Sequence, residues 1–187
     1  MIAGEAYDAW DTELVDARIA ARYKLKALNV SIPMTPEWRE AINSLIPGSN
    51  DAFIEPPFRC DYGTNIHLDR SFYANFNCTM LDICPITIGE NVMLGPNVQL
   101  YTAAHPLDVQ GRVVDAVEFG KPIIISDNVW IGGGAIICPG VTVGANSVIG
   151  AGSVVTMDVP SDVVAAGNPC RVIRPIDNGG ASGCDKT

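Results

Sequence analysis

From Ile125 onward an aliphatic residue recurs at every sixth position: Ile125, Ile131, Ile137, Val143, Ile149 and Val155. Glycine follows three of them directly, at Gly132, Gly144 and Gly150. The same beat runs through Ile88, Leu94 and Leu100, with Gly89 and Gly95 behind the first two. A looser version passes through Tyr62, Leu68, Ala74 and Met80 and slips by two residues near Ile83-Cys84. Amphipathic helices repeat every 3.6 residues and half-exposed strands every 2, so neither alone gives a sixfold marker. A short fixed period predicts a solenoid instead. In each unit a short strand supplies the inward aliphatic residue, and a turn follows in which Gly or Asn accepts unusual backbone angles. Three units close a triangular coil, and stacked coils form a parallel β-helix with an aliphatic interior. The expected fold class is mainly β.

Two stretches fall outside the beat. Residues 1–50 are charged and helix-periodic, with Leu14, Ala17, Ile19, Ala20, Tyr23, Leu25 and Leu28 lining one broad face and Asn29 as the stop. A second helix is expected from Thr35-Pro36-Glu37-Trp38, with Thr35 as N-cap and Pro36 in the first turn. Residues 103–124 interrupt the solenoid between Leu100 and Ile125 and are read as an inserted loop in the β-helix domain of residues 51–175. Solenoid insertions leave on one face and often carry function. This one holds His105, within Tyr101-Thr-Ala-Ala-His-Pro106, and the chain has only two histidines. The other, His67, lies inside a repeat unit and is read as structural. The polar end, residues 176–187, is expected to be a flexible tail.

Composition narrows the functional classes. Hydrophobic residues make up 48% and charged residues 18%, an apolar surplus that points to subunit contacts. The net charge of −9 argues against nucleic acid as a partner. The first residues lack the basic and apolar regions of a secretory signal. No window approaches the ~20 apolar residues of a membrane span, so the expected location is cytoplasmic. Cys60, Cys78, Cys84, Cys138, Cys170 and Cys184 form no C-x-x-C pair and read as buried free thiols, with no metal site.

Several longer stretches are more specific: M-I-A-G-E-A-Y at the start, F-R-C-D-Y-G-T-N-I-H at 58–67, F-Y-A-N-F-N at 72–77, L-D-I-C-P-I-T-I-G at 81–89, Y-T-A-A-H-P at 101–106, N-V-W-I-G-G at 128–133 and G-N-P-C-R-V-I at 167–173. On these the chain resembles the maltose and galactoside O-acetyltransferases, hexapeptide-repeat enzymes, over about residues 1–175. The resemblance implies a left-handed β-helix, assembled as a homotrimer with active sites between subunits. It also implies acetyl transfer from acetyl-CoA, as co-substrate, to a hydroxyl of a small sugar.

Residue by residue, the resemblance implies that His105 is the general base and that Asn75 stands beside the reaction centre as a hydrogen-bond donor. A sugar hydroxyl does not ionise at neutral pH, whereas an imidazole can accept its proton as the new bond forms. Arg18, Asp61, Tyr73 and Asp82 would touch the sugar. Trp130, Gly133, Ala151 and Thr156 would contact the pantetheine arm and adenine end, and Arg171 and Arg174 the phosphates. Ile83 stands where a galactoside-type enzyme has a second acid, so L-D-I-C-P-I resembles the maltose and glucose branch. Met157 stands where relatives usually carry lysine, so one phosphate contact is missing. Another hydroxyl acceptor, a chitooligosaccharide or an antibiotic, is the alternative, and a non-catalytic β-helix assembly module is a third reading.

Overall fold

The computed structural model describes residues 1–177. The expected tail falls largely outside the described residues, as does Cys184. The N-terminal part is two helices, α1 (Thr12–Val30) and α2 (Pro36–Leu45). Asp11 caps α1 by accepting the Glu13 N–H, and Thr35 caps α2 by accepting the Trp38 N–H.

The face of α1 differs from the expectation. Ile19 is 50% and Tyr23 73% exposed, while Ala21, Leu25 and Leu28 are buried. The helix touches the rest of the chain along a stripe narrower than its apolar residues suggest. The helix ends at Val30, one residue beyond Asn29, and the Asn29 side chain holds the backbone of Phe58, through Asn29 Nδ2 to Phe58 O (2.9 Å) and Phe58 N to Asn29 Oδ1 (2.8 Å). Helix α2 closes the open end of the solenoid. Trp38, Ile42, Leu45 and Ile46 are buried against it, and the Trp38 indole N–H donates to Ile54 O at 3.0 Å.

The remainder is a parallel β-helix with three walls of seven, five and four strands. The sixfold residues stack as interior columns: Ile88, Ile125 and Val143 on the four-stranded wall, Leu94, Ile131 and Ile149 on the seven-stranded wall, Leu100, Ile137 and Val155 on the five-stranded wall. All nine are buried. Each wall also shows alternation, its outward residues being exposed or half-exposed.

The early register needs one correction. Cys60, not Tyr62, pairs with Met80 and fills the column, and Tyr62 lies in the turn after it. The two-residue slip therefore occurs twice, at 61–65 and again at 82–85. Both lie on the edge between the five-stranded and four-stranded walls, and the 103–124 insertion leaves from this same edge. We call it the His105 edge.

The other edges are tighter. Between the four- and seven-stranded walls, Asn91, Asn128 and Asn146 take positive φ. Their amides form a ladder, Asn91 to Asn128 (3.0 Å), Asn128 to Asn146 (3.0 Å) and Asn146 to Asp162 (2.9 Å). Asparagine suits these corners because it tolerates the left-handed region and its amide can bond up and down the stack.

Candidate active site

The insertion is anchored before it departs. Thr102 donates from Oγ1 to Leu81 O (2.6 Å) and accepts the Cys84 N–H (3.0 Å). Ala103–Ala104 then pairs antiparallel with Phe119–Gly120, and the excursion between them carries one wide helical turn, Gln110–Val114. Gly120 is required here: a Cβ on it would lie 2.5 Å from Cys84 Sγ. The first residues of the chain are laid over this return strand. Gly4 sits at φ +81°, where a Cβ would come within 2.9 Å of Gly120 O. Tyr7 N donates to Glu118 O (3.1 Å) and Tyr7 Oη to Glu118 Oε1 (2.7 Å). Burial and the Glu118 carboxylate push the Tyr7 phenol far above its ordinary range, so it stays protonated and keeps donating. The glycine and tyrosine of the opening M-I-A-G-E-A-Y thus clamp the N-terminus to the insertion.

His105 is exposed at the foot of this clamp, and its Nδ1 lies 3.0 Å from Val117 O. A carbonyl only accepts, so Nδ1 carries the hydrogen and Nε2 is left with its lone pair free. The ring opens on a cavity of about 690 Å³ walled by Ala6–Trp10 on one side and Asp115–Glu118 on the other. Two further concavities, of about 630 Å³ between α1 and α2 and about 380 Å³ beside Arg22, hold no histidine.

Beside the cavity, Arg18 donates from Nη1 to Tyr62 Oη (2.8 Å) and from Nη2 to Ala9 O, bracing the cavity wall from behind. One turn on, Arg22 pairs with Asp61 at 3.4 Å. Asp61 keeps some exposure and faces the smaller concavity. Burial, and then the nearby Asp82 charge, raise its carboxyl above the usual range, against the pull of Arg22.

Asp82 does not reach a ligand, contrary to expectation. It is 0% exposed, and its carboxylate accepts the N–H groups of Asp61 (2.9 Å), Tyr62 (2.9 Å) and Gly63 (2.7 Å). It therefore holds the turn that presents Asp61. Burial raises its pKa, opposed by these three donors.

The remaining predicted residues stand elsewhere. Asn75, Gly133 and Ala151 follow the seven-stranded wall, on its edge with the five-stranded wall, and Trp130 and Tyr73 face outward from that wall just before this edge. Asn75 Oδ1 accepts the Phe76 N–H (2.7 Å), which leaves the amide NH₂ free to donate outward. Tyr73 stacks on Phe53 at 5.6 Å. A Cβ on Gly133 would come within 3.1 Å of Pro96 O in the coil below, a tight contact that glycine avoids. Gly134 and Gly152, both at positive φ, face open space, leaving a bare backbone ledge. Thr156 and Met157 are exposed on the His105 edge, further along the solenoid, and Arg171 and Arg174 lie on the exposed last strand, Arg171–Pro175. Within one chain, Asn75 and His105 are thus on different edges of the triangle. His67 is exposed on the four-stranded wall beside Thr87.

All five cysteines among the described residues are free thiols. Burial pushes Cys78 up to about 11 and Cys60 higher still, and raises Cys84, Cys138 and Cys170 as well. None of the five is poised as a thiolate nucleophile at neutral pH.

Comparison with known proteins draws these parts together. Residues 1–45 match the maltose acetyltransferase hexapeptide capping motif, and residues 122–156 match the bacterial transferase hexapeptide. The galactoside O-acetyltransferase of Escherichia coli K12 is 44% identical across 94% of this chain and 87% of its own length. The crystal structure of a maltose O-acetyltransferase from Clostridium difficile 630 superposes with a TM-score of 0.89 at 47% identity, over 95% of both chains. The chain belongs to the maltose and galactoside O-acetyltransferase family. Its solenoid is accordingly the left-handed β-helix of these acetyltransferases. A third relative, a hexapeptide-repeat acetyltransferase from Vibrio cholerae O1 biovar eltor solved with acetyl coenzyme A, superposes at a TM-score of 0.85 with 38% identity, over 95% of this chain and 97% of that one. The family's capping motif coincides with the stretch that here includes the clamp on the insertion.

Several residues of the site carry no family motif in the sequence. Val117 acts through its carbonyl, which any residue has. Arg22 is not among the residues singled out from the sequence, although its spacing of four from Arg18 in α1 puts both on one helix face, and the Tyr7–Glu118 contact joins positions 111 apart.

Proposed function

We propose that this protein transfers the acetyl group of acetyl-CoA to a hydroxyl of a maltose- or glucose-like sugar, with His105 as general base. The observation that carries this reading is the tie from His105 Nδ1 to Val117 O, which fixes the tautomer and leaves Nε2 as the proton acceptor. As the sugar oxygen attacks the thioester carbonyl, Nε2 takes its proton. The tetrahedral intermediate then collapses, the C–S bond breaks, and the imidazolium returns the proton to the departing CoA thiolate. The free amide NH₂ of Asn75 suits a donor to the developing oxyanion. The raised thiol pKa values favour direct attack over an acyl-cysteine route.

Because Asn75 and His105 stand on different edges of one chain, the reaction centre is read as the cleft between two copies in a cytoplasmic homotrimer. Each cleft then pairs one subunit's Asn75 edge with its neighbour's His105 edge. Arg18, Asp61 and Tyr73 are read as sugar contacts, Asp82 as the support of Asp61. Trp130, Gly133, Ala151 and Thr156 are assigned to the pantetheine arm and adenine end. The bare ledge at Gly134 and Gly152 fits a ligand held by backbone groups. Arg171 and Arg174, exposed on the last strand, supply the positive charge that phosphates require.

The direct test is thiol release from acetyl-CoA by the purified protein, with and without a panel of mono- and disaccharides. Release should depend on sugar and be strongest with glucose or maltose. Release that ignores sugar, or none at all, would contradict the assignment.

A further inference from the structure

Trp10 is the most exposed aromatic side chain among the described residues, at 82%, yet it lines the same cavity as His105. Its backbone is fixed there, because Trp10 N donates to Asp8 Oδ1 at 2.8 Å and the next residue begins the cap of α1. In the single chain the indole stands open beside the cavity, an apolar face next to a concave polar one. Around it the cavity offers acceptors and donors of both signs, Asp8, Arg112 and Asp115. Arg112 is itself positioned by Leu107 O (2.8 Å) and Asp115 by Gln110 (3.0 Å). A flat aromatic face next to several hydrogen-bonding groups matches one ligand chemistry well: a pyranose, whose C–H face is apolar and whose rim is hydroxyl. The cavity, at about 690 Å³, is larger than a single hexose fills.

We infer that Trp10 is a stacking platform for a second sugar ring, so that the acceptor site extends from His105 across the cavity and takes a disaccharide or longer glycan. The inference rests on the sugar acetyltransferase reading. With the reacting hydroxyl at His105 Nε2, the neighbouring residue of the glycan lies over the indole. Asp8 and Arg112 meet its hydroxyls. Trp10 thus selects acceptor length and takes no part in proton transfer, so its loss is read in KM and not in kcat.

The test pairs kinetics with fluorescence. Trp10→Ala should raise the KM for maltose roughly five- to tenfold, with kcat unchanged and the KM for glucose altered by less than about twofold. Trp10→Phe should recover most of the maltose KM, because a phenyl ring also stacks. Independently of turnover, maltose titrated into the wild-type protein without acetyl-CoA should change tryptophan emission, and Trp10→Phe should lose that change. Trp38 is buried with its N–H bonded, so it serves as an internal constant. Sugar-dependent turnover with an unchanged maltose KM in Trp10→Ala would overturn the second-ring subsite alone. A wild-type protein without sugar-dependent thiol release would overturn the acetylation reading beneath it. A Trp10→Ala protein with altered subunit stoichiometry would show that the indole covers a protein contact, and would also overturn the proposal.

Discussion

His105→Ala should lower kcat by roughly 10²–10⁴-fold while leaving the fold intact, since that is the range over which a positioned general base contributes. The ring is exposed, and its one hydrogen bond goes to a backbone carbonyl, so truncation leaves no buried charge and no cavity in the core. Steady-state kinetics with a saturating sugar, beside an unchanged melting curve, check both halves. Turnover within a few-fold of wild type would remove His105 from the chemistry. His67→Ala supplies the contrast: exposed on a solenoid wall away from the cavity, it should leave kcat unchanged.

The second large effect is on stability. Asp82→Ala should destabilise the protein by about 3 kcal/mol or more, because it leaves the backbone donors of Asp61, Tyr62 and Gly63 without an acceptor, at roughly 1–3 kcal/mol for each buried group. Denaturant titration would measure it. The same carboxyl imposes a pH signature. Its folded pKa is raised by burial, so the folded state holds its proton to higher pH than the unfolded chain does. Stability must then fall as pH rises from the ordinary carboxylate value, near 4, to the raised one. Asp61 contributes in the same direction. Asp82→Ala should therefore flatten part of this slope, and a slope identical to wild type would show that Asp82 is not the buried titrating group.

Much of the solenoid is legible in the sequence because its physics is one-dimensional. Each interior position asks only for an aliphatic residue, and neighbouring coils repeat the request every eighteen residues, as from Ile125 to Val143 and from Ile131 to Ile149. Where a coil takes twenty residues, as from Ala74 to Leu94, the beat is ambiguous. Tyr62 fitted the spacing, but Cys60 occupies the column, since the extra residues fall in the turn and not in the strand. The apolar face of α1 misleads for a related reason. Helix periodicity reports which residues share a side, not how wide a surface the rest of the chain offers to cover them.

The site is legible only in part. His105 stands out because it breaks a strict repeat. Its partner is invisible, because a carbonyl acceptor at Val117 leaves no side-chain signature. Asp82 looks like a polar ligand group in sequence and is a buried support in space, a distinction that depends on three backbone N–H groups turned toward it. Nor does linear order show that Asn75 and His105 leave the solenoid on different edges. That follows only once the columns are registered, and it is the observation on which the proposed second subunit rests.

A mixing experiment tests the proposed two-subunit site most directly. His105→Ala and Asn75→Ala proteins, each strongly impaired alone, are dissociated, mixed in equal amounts and allowed to reassociate, and sugar-dependent thiol release is measured. In a closed ring of three, a cleft works when its Asn75 edge comes from the His105→Ala chain and its His105 edge from the Asn75→Ala chain. About one cleft in four should meet this condition, restoring roughly a quarter of wild-type activity. A mixture no more active than the two variants apart would contradict the shared site.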